Sequence, residues 1–260
     1  MITRAVPVEK AVLAFSLGLA VLSHIGMPDP VAKGKSTLEI PKGFAGIVAY
    51  GSLISLPSLE QTLGHKYEGP LHEVHLTGYE RVWTCVRPFN SPQAAAAGAK
   101  KIEAYFLRDT ERVPVLGTAE LNLYPKEKGR INGVLYLVTD EELRKSDQRE
   151  WGYRRADVTD RIEEFRFRGG KVYVYESPLS PLPFPTAEKG TYVLIKEFFE
   201  MVTDACDARG KDFRADFDGT TRPCAYPVVS YKDIIWEKPK LPDPKVGGSN
   251  PLRRAVFNSH

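Results

Sequence analysis

Between residues 131 and 138 the run INGVLYLV is β-branched and aromatic, the pattern of a strand. Thr139 follows, with Glu142 three positions on, which is capping-box spacing. A helix is therefore expected from Asp140 to about Glu150, with Gly152 as its stop. In that helix Leu143, Asp147 and Glu150 recur at i, i+4 and i+7 and share one face, which Leu143 marks as turned to the core. Glu150 then sits at a helix end and partly inside. There, loss of water disfavours its charged form, raises its pKa and suits it to proton transfer near neutral pH. The plainer reading is a solvated surface glutamate, and the rest of the chain has to decide between them.

Along the remainder, periodicity gives a coarse order of elements. A domain is expected to begin near Phe44. GIVAY (46–50) reads as a short buried strand ending in Tyr50, Gly51, Ser52 and Leu53, where Gly51 allows a tight turn with exposed N–H groups able to hold a carboxylate. Pro57 suits the first turn of a short helix and Gly64 its end. Residues 72–87 predict one or two strands, 91–100 a surface loop, and 102–107 and 115–123 further strands, the latter alternating at Val115, Ala119, Leu121 and Leu123. Segments 158–167 and 171–175 predict two strands joined as a hairpin at Gly169-Gly170. Residues 177–185 are Pro-rich and extended. Residues 191–208 carry the longest helical stripe, ended by Gly210. Phe213, Phe217 and the Thr220-Thr221 pair come next, then a last strand at 225–230, and from about Lys238 a loose Pro-, Gly- and Lys-rich tail.

Five or more strands with helices inserted rather than alternating predict an α+β fold, its sheet largely antiparallel or mixed and able to close into a small barrel with flanking helices. Three regions result: an apolar N-terminal segment and linker (1–43), the domain (44–236) and the tail (237–260). Residues 11–27 carry no Asp, Glu, Lys or Arg and follow Arg4 and Lys10, the shape of a signal peptide or short anchor. Glu9 dilutes that basic start, the run is short for a span, and a buried helix is the competing reading. The location is accordingly cytoplasmic, or exported or anchored if that run acts as a signal, and a membrane partner is expected through 11–27 alone.

Composition narrows the chemistry. The chain has 260 residues, 36 Lys and Arg against 33 Asp and Glu, and a net charge of +3, with no basic stripe for nucleic acid. Cys85, Cys206 and Cys224 form no CxxC pair and have no His at ligand spacing, so no zinc site is expected. A Cys206–Cys224 bridge stays open only for an exported protein. The phosphate-binding glycine motifs and the GxSxG elbow are missing from the sequence.

Taken in order, VAYGSL, LTGYERVW, INGVLYLVTDEEL and DQREWGYRR resemble the γ-glutamylcyclotransferase-like family, over roughly residues 44–227. The resemblance implies a small mixed barrel. It also implies a reaction needing neither metal nor cofactor, in which a γ-glutamyl compound closes into 5-oxoproline and expels an amine. It assigns substrate binding to the backbone of Tyr50, Gly51, Ser52 and Leu53, catalysis to Glu150, and a pocket position to Tyr175. Tyr153 corresponds to the aromatic that opens the next strand and is expected to be structural. Ser146 departs from the family's Leu and is expected to leave Glu150 wetter. Of Arg154 and Arg155, adjacent on a strand, at most one can face the pocket. The expected partner is a small γ-glutamyl compound; the alternative is a non-catalytic protein binding a small acidic ligand, or a scaffold, on the same fold.

Overall fold

The computed structural model describes residues 34–90, 101–150, 152–177 and 190–238. The expectations for 11–27, 91–100, most of 177–185 and the tail beyond 238 lie outside the described residues. In chain order the strands are β1 (Ser36–Ile40), β2 (Phe44–Ala49), β3 (His72–Pro88), β4 (Glu103–Arg108), β5 (Glu111–Thr139) and β6 (Arg154–Asp157). They continue with β7 (Phe165–Gly169), β8 (Val172–Glu176), β9 (Thr191–Ile195), β10 (Thr221–Arg222), β11 (Val228–Val229) and β12 (Ile235–Lys238). The helices are α1 (Leu56–Leu63), α2 (Asp140–Arg149), α3 (Lys196–Asp207) and α4 (Lys211–Thr220).

β5 organises the sheet. It pairs antiparallel with β2, β3 and β4 and parallel with β9. The main path runs β10-β3-β5-β2-β8-β6, with β11 on β9 and β12 on β4, while β1 and β7 form a separate parallel pair. The α+β class and the mixed sheet are thus as expected. Among the described residues the pairings do not complete a closed barrel. An isolated bridge from Leu76 in β3 to Ile162 links the β3 side of the sheet to the chain just beyond β6.

The two strands expected at 115–123 and 131–138 are one strand. What separates them is a register shift against β3, where Thr77 meets Arg130 but Tyr79 meets Pro125, so four residues of β5 bulge out opposite Gly78. The hairpin expected at Gly169-Gly170 is not formed: β7 pairs with β1, and β8 with β2 and β6. The two glycines instead permit close approach. A Cβ on Gly169, which has φ +100°, would stand 2.3 Å from the Ile40 carbonyl oxygen, and one on Gly170 2.7 Å from that of Phe44. The helix expected from 191 starts only at Lys196. Residues Tyr192 to Ile195 are buried one after another, as in a strand covered on both faces, and β9 lies between β5 and β11. The segment holding Phe213 and Phe217 is itself helical, with both rings buried.

Other expectations are met locally. Gly64 ends α1 in the left-handed conformation at φ 85°. Thr139 and Glu142 form the capping box of α2. Among the described residues Cys85, Cys206 and Cys224 are free thiols, so the Cys206–Cys224 bridge is not made. A large core, including Ile47, Leu76, Leu135, Val174 and Phe217, fills the space between sheet and helices. A second cluster, including Phe89, Phe106, Val193 and Tyr231, packs where β4, β9 and β12 meet. No helix among the described residues is long and apolar enough to cross a membrane.

Candidate active site

Three strand and helix ends meet because of the register. Phe44 at the start of β2 faces Thr139 at the end of β5, and Thr139 caps α2. The amide of Asp140 donates to the Gly43 carbonyl at 3.0 Å, so α2 starts beside the beginning of β2. Its ten residues rise about 15 Å, and the six residues of β2 span about 20 Å. A helix laid back along β2 therefore ends near the strand's far end, where Tyr50 and Gly51 follow. β8 runs parallel to β2 with Ile47 opposite Tyr173, which carries Tyr175 to that same end.

There the chain enters a 3-10 turn, Ser52–Ile54, with Gly51 before it. The first amides of such a turn have no partner within it. A Cβ on Gly51 would press within 3.3 Å of Leu121 Cδ1, so this strand end lies close on β5. The pocket formed here holds about 570 Å³ of empty space out to its mouth, of which about 60 Å³ admits the centre of a water molecule. By the smaller figure it is a narrow slot, well below the ~300–1,000 Å³ of typical small-molecule sites. Its wall contains all six residues singled out from the sequence: Tyr50, Gly51, Ser52, Leu53, Glu150 and Tyr175.

Glu150 follows the last residue of α2, and its backbone N–H still donates to the Ser146 carbonyl at 2.8 Å. It is 7% exposed. The buried positions of α2 are Leu143 and Ser146, not Asp147, which is half-exposed. Ser146 does not admit water as expected. It is fully buried, with its hydroxyl donating to the Glu142 carbonyl at 3.0 Å.

Arg149 was not foreseen. Its Nη1 contacts Glu150 Oε1, while Nη2 donates to Ser52 Oγ at 3.1 Å and to Ser58 Oγ at 3.2 Å. One guanidinium thus ties the end of α2 to the glycine turn and to α1, and its charge suits the helix C-terminus. Glu120 of β5 is a second buried carboxylate in the pocket wall, also unforeseen. Arg87 Nε lies 3.6 Å from Glu120 Oε2, and the Arg87 guanidinium stands 4.7 Å over the Tyr153 ring. Burial acts against the charge of Arg87, but Glu120 outweighs it and holds the pKa above its usual value. For Glu120 the signal lay in the alternation: with 119, 121 and 123 inward, 120 faces the other way, and both faces proved buried. The role of Arg149 has no local signal, since Ser52 and Ser58 lie far from it in sequence.

The tyrosines are committed to the protein. Tyr50 donates its hydroxyl to the Tyr175 carbonyl at 2.6 Å, and burial, then the charge of Glu150, push its pKa well up. Tyr175 donates to Asp147 Oδ1 at 2.8 Å, and burial, then that hydrogen bond, raise its pKa too. Tyr153 donates to the Leu121 carbonyl at 2.8 Å. Neither Arg154 nor Arg155 lines the pocket; they pair with Glu176 and Asp147.

Behind the turn, Arg81 of β3 is fully buried. It donates to the Tyr50 carbonyl (3.2 Å), to Asn132 O and Oδ1 (2.9 and 2.6 Å), to Thr221 Oγ1 (2.7 Å) and to Thr220 Oγ1 (3.0 Å). Its guanidinium stacks 3.8 Å from the Phe217 ring centre. Burial lowers its pKa. Among the described residues the group spaced to hold a metal ion is His75, Glu163 and Glu164, none of which lines this pocket. There His75 Nδ1 meets Glu164 at 2.6 Å, His75 Nε2 meets Asp216 at 2.7 Å, and Glu163 accepts from Arg130 at 2.9 Å.

No protein-family model matches the chain, and no curated protein matches it by sequence. Among solved structures it is similar to a γ-glutamyl cyclotransferase at 10% identity and TM-score 0.44, over 72% of this chain and 93% of that one. It is also similar to YkqA from Bacillus subtilis at 14% identity and TM-score 0.42, over 72% of this chain and 57% of that one. An uncharacterized protein from Homo sapiens aligns at 13% identity and TM-score 0.40, over 73% and 94% of the two chains.

Proposed function

We propose that the chain is a γ-glutamyl cyclotransferase, closing the glutamyl part of a γ-glutamyl amide into 5-oxoproline and releasing the amine. The observation that carries this reading is the meeting, in one slot, of the buried Glu150 carboxyl with the glycine turn at 51–53. The turn's amides, with Arg149 beside Ser52, take the substrate's α-carboxylate. The neutral α-amine nitrogen bonds to the γ-carbonyl carbon as Glu150 takes one of its protons. As the amide C–N bond breaks, the same proton passes to the departing nitrogen. The nucleophile is tethered to its target, so orientation alone is worth up to about 7–11 kcal/mol. Tyr175, its hydroxyl proton given to Asp147, shapes the wall and can offer the substrate an acceptor.

Mass spectrometry of the protein incubated with γ-glutamyl amino acids, γ-glutamylamines and glutathione tests this directly. New 5-oxoproline is expected from at least one of them, and none from Glu150→Gln. A folded Gln variant that turns over at the wild-type rate would refute the role of Glu150. The Arg149 guanidinium in the wall also favours a second reading, a non-catalytic site for a small acidic ligand. Thermal stabilisation by the same compounds without turnover in the wild type would select it.

A further inference from the structure

We propose that a groove lined by α1 and α3 holds the leaving amine of the substrate, and that this amine carries a bulky apolar group, a phenyl ring or one of similar size. The inference rests on the cyclotransferase reading and names its substrate class. Phe198, Met201 and Ala205 recur at i, i+3 and i+7 and share one face of α3. The helix turns a different face to the core, where Val202 and Cys206 are fully buried. The stripe from Phe198 to Ala205 stays half-buried and lines the groove, together with Leu56 and Pro57 of α1 and with Leu71.

The groove adjoins the slot. Phe198 lines both, and the chain passes from Leu53 in the slot wall directly to Ile54 in the groove wall. Size then divides the substrate between them. The slot admits the centre of a water molecule over about 60 Å³, the groove over about 860 Å³. A large group on the γ-nitrogen has no room in the slot. Beside Phe198 it meets the groove, where an apolar group leaves water against Leu56, Leu71 and Met201. The groove is also lined by Glu197, Glu200, Asp204 and Arg209, three negative charges to one positive, which oppose a carboxylate on the leaving group. The bonds made and broken stay those of the cyclisation; the groove contributes binding alone.

The test measures kcat/KM for 5-oxoproline release by the full chain from γ-glutamyl-phenethylamine and from γ-glutamyl-ethylamine, which lacks the ring. The wild type is expected to favour the phenethylamine compound about tenfold, the weight of a ring partly removed from water. Met201→Gln keeps the length of the side chain but makes it polar, and should lower that ratio by roughly threefold or more. Leu56→Ser, at a position 38% exposed, should do the same and stands in if the Met201 variant does not fold. γ-Glutamyl-L-phenylalanine, with the same ring and an added carboxylate, should be turned over more slowly than the phenethylamine compound. A wild-type ratio near one, a ratio that neither folded variant lowers, or preference for the phenylalanine compound overturns the inference. So does turnover of other γ-glutamyl compounds but of none of these three; in each of these cases 5-oxoproline release still upholds the cyclotransferase reading. If no γ-glutamyl compound yields 5-oxoproline, that reading fails and carries this inference with it.

Discussion

Replacing Arg81 tests how the glycine turn is held. Arg81 is fully buried and makes five hydrogen bonds of 2.6–3.2 Å, reaching the Tyr50 carbonyl, Asn132 of β5 and the Thr220-Thr221 pair. Arg81→Met keeps much of the volume but leaves those acceptors without a donor. At a net ~1 kcal/mol each the bonds sum to about 5 kcal/mol, and release of a buried charge returns part of it, so a loss of about 3–4 kcal/mol is expected. Against a typical total of about 5–15 kcal/mol that is a large fraction, and for a domain this size it lowers Tm by roughly 10 °C. Urea unfolding followed by tryptophan fluorescence, with Trp83 two positions along the same strand, reads it out. Arg81→Lys separates charge from geometry, because an ammonium has three donors and no fork to span the same acceptors. A Lys variant within about 1 kcal/mol of wild type would refute the argument, and so would a Met variant that costs nothing.

Three further outcomes are expected. Thr139→Ala removes the side-chain half of the α2 capping box and should cost about 1 kcal/mol in a denaturant melt. Gly169→Ala places a Cβ 2.3 Å from the Ile40 carbonyl at φ +100°, so it should destabilise by more than about 1 kcal/mol; a neutral result would argue against the β1–β7 pairing. The His65–Glu142 pair, at 2.5 Å, gives stability a pH window. Burial acts to raise the Glu142 pKa, but the Thr139 amide and His65 outweigh it and lower the value, so its share is present above the ordinary carboxylate pKa and lost as pH falls through the lower folded one. The His65 pKa is raised, through the Lys66 carbonyl and then Glu142, so its share is full below about pH 6.5 and lost as pH rises through the raised value. The Tm difference between wild type and His65→Ala should therefore be greatest near pH 5–6 and vanish in alkali; a difference flat across that range would refute the pairing.

What could be read from the sequence was what neighbouring residues decide. The α2 cap needs only Thr139 and Glu142, and the end of α1 needs only Gly64, so both were legible. The hairpin failed because a Gly-Gly pair permits a tight turn and a close backbone approach equally well, and Ile40, far along the chain, selects the second. TYVLI joined the following helix because its apolar residues extend that helix's stripe, whereas parallel neighbours on both sides make it a strand. In the pocket, Tyr50, Gly51, Ser52, Leu53, Glu150 and Tyr175 were reached by motif resemblance, and the structure brings them into one wall. Arg149 was missed because its partners Ser52 and Ser58 are distant in sequence, and Glu120 because a strand buried on both faces hides a polar wall position from a reading by alternation. Asp147 was placed inward by spacing alone, but the small Ser146 takes the buried position.

A final consequence concerns how this chain reaches its native state. β5 is claimed by neighbours on both sides of it in sequence: Phe44 meets Thr139, and Val115 meets Thr191. Large loops must close before either of those ladders is rewarded, which slows their formation. During synthesis β5 emerges before β9 exists, and the edge reserved for β9 waits as an open template for other chains. Dilute refolding should therefore recover far more native protein than concentrated refolding.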